Sequence, residues 1–328
     1  MKVLVTGGTG FVGSHAVREL QQAGHDIRLL ARRPERVAPV LGALGVAVTD
    51  VVAGDMTDPQ AVGRALEGCS AVVHCAAEIG VGGGSRGAAG TANLDGARTV
   101  LGGAFALGLD PIVYTSTITV HLPSPDPVIT IGTPLAEPLS TYGAQKRSVE
   151  DFVRDLQDQG APITTLVVGG VYGPHSPHLD GSHAALRAAL AAGMYAPASG
   201  IGVLDVRDLA AIITRVMRSG LGPRRYLASG RYTTWRQWSE LLAEAAGRPV
   251  PYREADPAEM AELGRKFDEL RASGKEVPPL SEEAAVIMAS GRPGDDSRTL
   301  QELDMTYRPT VETFRDAVRW LADGGHLS

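Results

Sequence analysis

The 328-residue chain is 44% hydrophobic, which is enough apolar material for a large core. A net charge of −6 gives no reason to expect a nucleic-acid or membrane-surface partner. The two cysteines, Cys69 and Cys75, are too few for a disulfide framework, and no apolar run reaches the ~20 residues of a transmembrane helix. A cytoplasmic protein is therefore predicted.

Short apolar runs alternate with helical patterns through the first half of the chain. The predicted strands are "KVLVT", "DIRLLA", part of "VAVTDVVAGD", "AVVHCAA", "PIVYTST" and "PITTLVVGG". Helical stretches follow the first, third, fourth and fifth of these strands, the last of them being "TYGAQKRSVEDFVRDLQDQG" before the sixth strand. This alternation is typical of βαβ units. It predicts an α/β, Rossmann-like, doubly wound parallel sheet that binds ligands at the carboxyl ends of its strands.

The order loosens after about Gly173, which predicts two units. Residues 1–172 form the sheet domain, and residues 173–328 form a smaller, mostly helical lobe. The lobe is expected to interleave with the sheet, with about 203–230 returning to it. Within Arg253–Arg298, a helix is predicted over "PAEMAELGRKFDELRASG" and loop elsewhere.

The segment "TGGTGFVG" directly follows the first strand and opens the first helix. Gly7 allows a tight turn, Gly10 lets the backbone approach a pyrophosphate, and Gly13 lets helix and strand pack closely. The free N–H groups at the helix start then face the anion. This context predicts a dinucleotide site.

The ends of the second and third strands bear on which dinucleotide is bound. NAD sites commonly carry an acidic residue after the second strand, but here the run is Ala31-Arg32-Arg33. A guanidinium suits a 2′-phosphate, so NADP is predicted over NAD, with Arg32 the better candidate. Asp55 and Met56, after the third strand, are candidates for contacts to the adenine.

A group of hydroxyl and amine side chains is predicted at the reacting end. Ser116 and Thr117 end the fifth strand, Tyr142 opens the next helix, and Lys146 follows one turn later on the same face. A free phenol has a pKa of about 10, and a nearby ammonium lowers it. Such a tyrosine can exchange a proton with a carbonyl or alcohol oxygen while Thr117 holds that oxygen by a hydrogen bond.

Taken together, these motifs resemble the extended short-chain dehydrogenase/reductase superfamily, and within it the dihydroflavonol-reductase-like branch. "TGGTGFVG" matches its TGxxGxxG pattern and "YGAQK" its YxxxK pattern. "VVHCAA", "GVYGP", "LDVRDLA" and the closing "DDSRTLQELDMTYRPTVETFRDAVRWL" match further landmarks in the same order. The resemblance runs nearly end to end.

The resemblance implies roles for individual residues. Tyr142 would be the acid/base, Lys146 would tune it and bind the nicotinamide ribose, and Thr117 would occupy the Ser/Thr position, with Ser116 as a rival. Further cofactor contacts would come from Thr9, Phe11, Val12, Ala76, Ala77, Asn93, Thr115 and Val171. Residues 173–328 would be the substrate-binding lobe.

Substrate contacts are less defined. Candidates are Glu78, His121, Tyr172 and His175, and His183 also falls beside the predicted cleft. The histidines do not form a metal set, so no metal is predicted. The usual Arg-Pro-Gly before "VYGP" is replaced by Val168-Gly169-Gly170, which puts a contact from that arginine in doubt.

The predicted function is an NADP-dependent reductase or dehydrogenase for a small ketone, aldehyde or secondary alcohol. One alternative is a nucleotide-sugar epimerase or dehydratase with tightly bound NAD, although Ile118-Thr119 replaces the Asp-Glu pair of dehydratases. Another is a dinucleotide-binding regulatory module without catalysis. The expected partners are a small molecule and, by family analogy through helices near 88–108 and 142–159, a second copy of the chain.

Overall fold

The computed structural model describes residues 1–77, 91–138, 141–278 and 280–327, except for the side chains of Thr141 and Tyr142. The strands are β1 Lys2–Thr6, β2 Asp26–Ala31, β3 Asp50–Ala53, β4 Ala71–His74, β5 Ile112–Thr117, β6 Ile163–Val168, β7 Gly170–Tyr172, β8 Met194–Ala196, β9 Gly200–Asp205, β10 Arg224–Ala228, β11 Arg231–Thr234 and β12 Tyr252–Glu254. The helices are α1 Phe11–Gln22, α2 Val37–Gly42, α3 Pro59–Leu66, α4 Ala92–Ala97, α5 Gly103–Ala106, α6 Thr141–Asp158, α7 Gly181–Ala192, α8 Val206–Arg215, α9 Trp235–Ala246, α10 Pro257–Ala272, α11 Glu282–Ser290, α12 Ser297–Glu302 and α13 Thr310–Asp323. Two short 3₁₀ turns, Pro34–Arg36 and Ile118–His121, and a π-helical segment, Arg98–Gly102, complete the elements.

Seven of these strands form a parallel sheet in the order β10-β6-β5-β4-β1-β2-β3. The strand order reverses between β1 and β4, which creates a crevice beyond their carboxyl ends. The predicted Rossmann-like doubly wound sheet is confirmed. The strand at Arg224–Ala228 pairs with β6 and extends the sheet from the second half of the chain.

Two apolar layers cover the sheet. On one face, α1 and α8 pack on side chains that include Val3, Val5 and Leu29. On the other face, α3, α4 and α6 pack on Leu4, Val72 and other inward side chains. Successive residues of β1 therefore serve opposite layers, as expected for a strand buried on both faces.

The second lobe has its own core. Trp238 and Phe314 are fully buried and meet edge-to-face with ring centroids 5.2 Å apart. Helices α7, α9 and α13 pack around them together with the small sheet β11-β9-β7. Thr234 caps α9, since its hydroxyl accepts the Gln237 N–H at 3.2 Å.

The loop prediction for Arg253–Arg298 outside α10 was wrong, because Glu282–Ser290 is a helix. Ser281 caps it by accepting the Ala284 N–H, and Asp268 on α10 accepts the Glu282 N–H. The run "EEAAVIMAS" lacks a clear amphipathic period, so its hydrophobic spacing does not predict a helix. This helix forms one wall of the pocket described below.

Candidate active site

The glycine-rich turn after β1 is held by close backbone packing. Gly7 has φ +75°, and a Cβ there would lie 2.7 Å from the Ala76 nitrogen beyond β4. A Cβ on Gly13 would lie 2.1 Å from the Gly7 oxygen. Any side chain at Gly7 or Gly13 would therefore push the turn away from β4 or from α1.

Gly10 differs, because a Cβ there would contact only the Gly7 oxygen, at 3.2 Å. It is the N-cap of α1 and has no side chain to occupy the first N–H groups of the helix. Those groups, from Phe11, Val12 and Gly13, are the unpaired donors of a helix start and carry the positive end of its dipole. The cradle thus fits a pyrophosphate at the crevice between β1 and β4.

The cradle is also tied to the second lobe. The Phe11 ring packs edge-to-face on His183, with ring centroids 5.0 Å apart. His183 is fully buried, and its two ring nitrogens lie 2.8 Å from Asp180 Oδ1 and 2.8 Å from the Gly173 oxygen. His183 is therefore a packing residue of the second lobe. Its contact with the Phe11 ring supports the start of α1, where the phosphate cradle lies.

The ends of β2 and β3 bring three of the predicted cofactor residues together. Arg32 is 65% exposed in its side chain, and its Nε lies 3.9 Å from Asp55 Oδ2. The other oxygen of Asp55 accepts the N–H and hydroxyl of Thr57. Met56 packs on α4, where a Cβ on Gly96 would lie 2.7 Å from its sulfur. A guanidinium therefore stands at the open carboxyl edge of β2, beside the expected adenosine end of the cofactor.

The structure separates the two rival hydroxyls at the end of β5. Ser116 is buried and donates to Glu150 Oε2 at 2.6 Å, so its hydroxyl is committed to α6. Thr117 Oγ1 lies 3.1 Å from Thr119 Oγ1 and also accepts the Thr119 N–H. Thr119 lines the pocket described below, so Thr117 contacts a residue of the pocket wall.

The structure reveals a buried charged residue that the sequence analysis missed. Glu150 is fully buried, bonds Ser116, and pairs with Arg225 on β10 and with Arg154 at 3.5 Å. Tyr142, Lys146 and Glu150 follow one another along α6 at intervals of one helical turn. The signal was therefore present as a third polar residue at the same helical spacing. Glu150 links the helix of the predicted catalytic pair to the strand of the predicted hydroxyl.

Lys146 is buried in the sheet-facing side of α6. Burial lowers the pKa of its ammonium to about 8. Burial also lowers the pKa of His74, at the end of β4, to about 4, and the nearby Lys146 charge acts in the same direction. His74 is therefore neutral near pH 7, with its Nδ1 2.7 Å from the Thr6 hydroxyl. The end of β4 therefore lies close to Lys146 of α6.

The remaining predicted cofactor residues lie around the crevice between β1 and β4. Ala76 and Ala77 directly follow β4, Thr115 donates its hydroxyl to the His74 oxygen at 3.3 Å, and Asn93 is buried in the first turn of α4. Val171 lies on β7 and packs against the core of the sheet domain. Thr9 is half-buried in the cradle turn.

The structure describes the surroundings of three residues that were predicted to contact the substrate. Tyr172 is buried between Trp238 and Phe314, which argues against a substrate contact. His121 is buried, and its Nδ1 lies 3.1 Å from the Pro134 oxygen. His175 is exposed with φ +60°. Glu78 and the side chain of Tyr142 lie outside the described residues, so their roles remain predictions.

A pocket of about 290 Å³ opens beside the end of β5, and we call it the α11 pocket. The described residues that line it are Thr119, Val120, Leu122, Ala136, Pro138, Gly143, Arg147, Asp268, Glu282, Glu283, Val286, Ile287 and Ser290. Gly143 immediately follows Tyr142, and Thr119 contacts Thr117. The pocket therefore lies next to the predicted reacting groups, with the first lobe on one side and α10 and α11 on the other.

The doubly wound sheet carries a glycine cradle at the crevice between β1 and β4, and a buried lysine and a pocket lie nearby. Together these features define a dinucleotide-dependent site of the oxidoreductase type. Comparisons with known proteins agree. Residues 3–228 match the model of the NAD dependent epimerase/dehydratase family. The chain belongs to this family and is an NAD(P)-dependent enzyme of the extended short-chain dehydrogenase/reductase type.

Individual relatives span the whole chain. Sterol demethylase protein B of Methylococcus capsulatus is 28% identical, with all of both chains covered. A putative dihydroflavonol 4-reductase of Synechocystis is 25% identical, with 98% of this chain and 95% of the relative covered. A UDP-glucose-4-epimerase of Stenotrophomonas maltophila, solved with NAD and formylated UDP-arabinopyranose, superposes with a TM-score of 0.78 at 21% identity, with 99% of both chains covered.

Proposed function

We propose that this protein is an NADP-dependent reductase or dehydrogenase that transfers hydride between the nicotinamide and a small ketone, aldehyde or secondary alcohol. The observation that carries the cofactor choice is the guanidinium of Arg32 at the carboxyl end of β2. Its contact with Asp55 is long and exposed, and such pairs contribute only about 0–1 kcal/mol. A 2′-phosphate, with its greater charge, can therefore compete for Arg32.

The chain's own residues supply the acid/base chemistry. The nicotinamide, when bound, supplies or accepts the hydride. Tyr142 gives a proton to the carbonyl oxygen in reduction and takes it from the alcohol in oxidation. Lys146, one helical turn away, stabilises the phenolate through its positive charge. The hydroxyl of Thr117 holds the same oxygen, and the apolar side of the α11 pocket limits access of water.

Exchanging Arg32 for Ala tests the cofactor assignment. We expect the Kd for NADPH to rise about 10- to 100-fold, since a charge-assisted hydrogen bond contributes about 1.5–3 kcal/mol. The Kd for NADH should change by less than about 3-fold, because NADH lacks the 2′-phosphate. Fluorescence titration of cofactor-stripped protein measures both values. Arg33→Ala is the matched control and should leave both constants close to wild type. Equal losses for both cofactors in Arg32→Ala would contradict the assignment.

A second pair of variants separates the two hydroxyls on β5. Thr117→Val should lower kcat by about 10²-fold or more, the effect of removing one donor from a developing oxyanion. Ser116→Ala should lower the free energy of unfolding by about 1–3 kcal/mol, because it leaves a buried acceptor of Glu150 unpaired, with a much smaller effect on kcat. Steady-state kinetics and urea unfolding measure the two. The reverse pattern would assign the catalytic hydroxyl to Ser116.

Two further features of the proposal concern location and assembly. None of the described helices combines the length and apolarity that a membrane crossing requires. Cys69 and Cys75 are both free thiols, which is consistent with our placement of the protein in the cytoplasm.

We propose a homodimer through the surface of α5 and α6, where Phe105 and Phe152 are only partly buried and the nearby Leu107 is 61% exposed.

A further inference from the structure

The two walls of the α11 pocket are largely apolar. Val120, Leu122, Ala136 and Pro138 line it from the first lobe, and Val286 and Ile287 line it from α11. Its volume of about 290 Å³ lies at the small end of ligand pockets, which span about 300–1,000 Å³. The space therefore suits a compact ligand whose surface is mainly hydrocarbon.

The charged residues of the pocket carry a net negative charge. Among the described lining residues, three carboxylates, those of Asp268, Glu282 and Glu283, stand beside one guanidinium, that of Arg147. Asp268 pairs with Arg271 and Arg147 pairs with Asp151, so the excess of negative charge comes from the first turn of α11. Glu282 is exposed in the first turn of α11, and Glu283 follows it. The carboxylates of Glu282 and Glu283 repel a ligand anion that lies within a Debye length of them, which is about 8–10 Å at ordinary ionic strength.

Among the described lining residues, the one cation is committed to other groups of the protein. Arg147 Nε donates to both carboxylate oxygens of Asp151 at 3.0 Å. Its Nη1 donates to the main-chain oxygens of Leu135 and Ala136, at 3.3 and 2.9 Å. Arg147 thus fastens the 135–136 loop to α6 and has its charge balanced by Asp151. It is poorly placed to receive a phosphate from the pocket.

The N-terminus of α11 is also unsuited to bind an anion. Ser281 caps it, and Asp268 accepts the Glu282 N–H at 3.0 Å while pairing with Arg271 at 2.5 Å. The two glutamates of the first turn already complement the positive end of the helix dipole. In the described part of the pocket, the Arg147 guanidinium and the start of α11 are therefore both occupied by groups of the protein itself.

We propose that the α11 pocket selects a neutral, compact, mainly apolar ketone or secondary alcohol and rejects ligands that carry a carboxylate or phosphate close to the reacting carbon. This selection rests on the proposed hydride-transfer function. It names the substrate class for that function and excludes a nucleoside diphosphate group from this pocket.

A matched pair of ketones tests the selection. Cyclohexanone and its ring-carboxylated analogue differ by one charge, and NADPH oxidation measures kcat/KM for each. We expect the neutral ketone to be preferred at least about 10-fold. Glu282→Gln should narrow the preference, and Glu282→Lys should narrow it further, because charge at the rim is first removed and then reversed. Glu259→Lys, on an exposed site of α10 outside the pocket, should leave the ratio unchanged.

Ile287→Trp tests the location of the site. The bulkier indole side chain should fill part of the pocket and raise KM for cyclohexanone several-fold, while the Kd for NADPH stays at the wild-type value. A preference for the carboxylated ketone, or a ratio that does not respond to Glu282→Lys, would overturn the proposed selection.

Binding measurements separate this proposal from the proposed function. Ligand-detected NMR compares cyclohexanol with its carboxylated analogue in the presence of NADP, without any turnover. If no ketone is reduced but the neutral alcohol binds better and Ile287→Trp weakens its binding several-fold, the function fails and the pocket assignment stands. If ketones are reduced but the carboxylated alcohol binds better, the pocket assignment fails and the function stands.

Discussion

Replacing Tyr142 with Phe will lower kcat for ketone reduction by about 10²- to 10⁴-fold, the contribution of a positioned general acid. The phenylalanine keeps the ring but has no proton to give to the carbonyl oxygen. The Kd for NADPH should stay close to wild type, so the loss falls on the chemical step. Steady-state kinetics together with cofactor titration measure the two effects. Wild-type turnover in this variant would show that Tyr142 is not the general acid.

Lys146 provides a companion test through pH. Because burial lowers the pKa of Lys146 to about 8, its positive charge is lost as pH rises through that value. Loss of the charge removes the stabilisation of the phenolate, so kcat/KM should fall on the alkaline side of about pH 8. Lys146→Arg keeps a charge at all accessible pH values, and its alkaline limb should move upward or vanish. An unchanged limb would assign that ionisation to another group.

Replacing Glu150 with Ala will lower the free energy of unfolding by about 3–5 kcal/mol, as expected when one partner of a buried ion pair is removed. The variant leaves Arg225 without its buried carboxylate and Ser116 without its acceptor. The cost is large because Glu150 is fully buried and its partners come from β5, β10 and α6 itself. Urea unfolding at neutral pH measures the loss.

A neighbouring carboxylate gives the matched control for Glu150. Asp151 is half exposed and pairs with Arg147, so Asp151→Asn should cost no more than about 1 kcal/mol. Glu150→Gln keeps the shape and one hydrogen bond, and should fall between the two. Equal costs for the exposed and buried residues would show that the network around Glu150 does not hold the strand and helix together.

The fold was largely predictable because its signals are local. The order of strands, the glycine turn and the start of α1 follow from hydrophobic runs and from glycines at fixed spacing. The sheet pairing of β10 was harder, since the chain leaves the first domain and returns after residue 203. Only the general return to the sheet could be expected, because the neighbour of a strand is set by packing and not by its own residues.

The site was predictable where it depends on one segment and not where it depends on several. Lys146 and Thr117 were predicted from motifs within single segments, but Glu150 acts on Ser116, 34 residues away, and on Arg225, 75 residues away. Tyr172 was expected at the substrate because "GVYGP" follows β6. Its ring instead faces the second core, because β7 pairs with β9 in a separate sheet.

The wall of the α11 pocket shows the same limit. Its helix lacks an apolar stripe of clear period, and its end is anchored by distant groups. The hydroxyl of Ser199 and the indole N–H of Trp235 both donate to the Met288 oxygen, at 2.6 and 3.2 Å. Hydrophobic spacing therefore did not predict this helix, although the Ser281 cap and the Glu, Ala and Met residues that follow it are local signals for one.

The most direct test of NADP-dependent reduction is the fate of a labelled hydride. Protein is purified, any retained nucleotide is identified, and the enzyme is given NADPH deuterated at the hydride-donating carbon together with neutral ring ketones. We expect little retained nucleotide, and one deuterium in the product alcohol for each NADPH oxidised. Tightly retained NAD, with no net oxidation of NADPH and no deuterium in any alcohol, would contradict the proposed reductase.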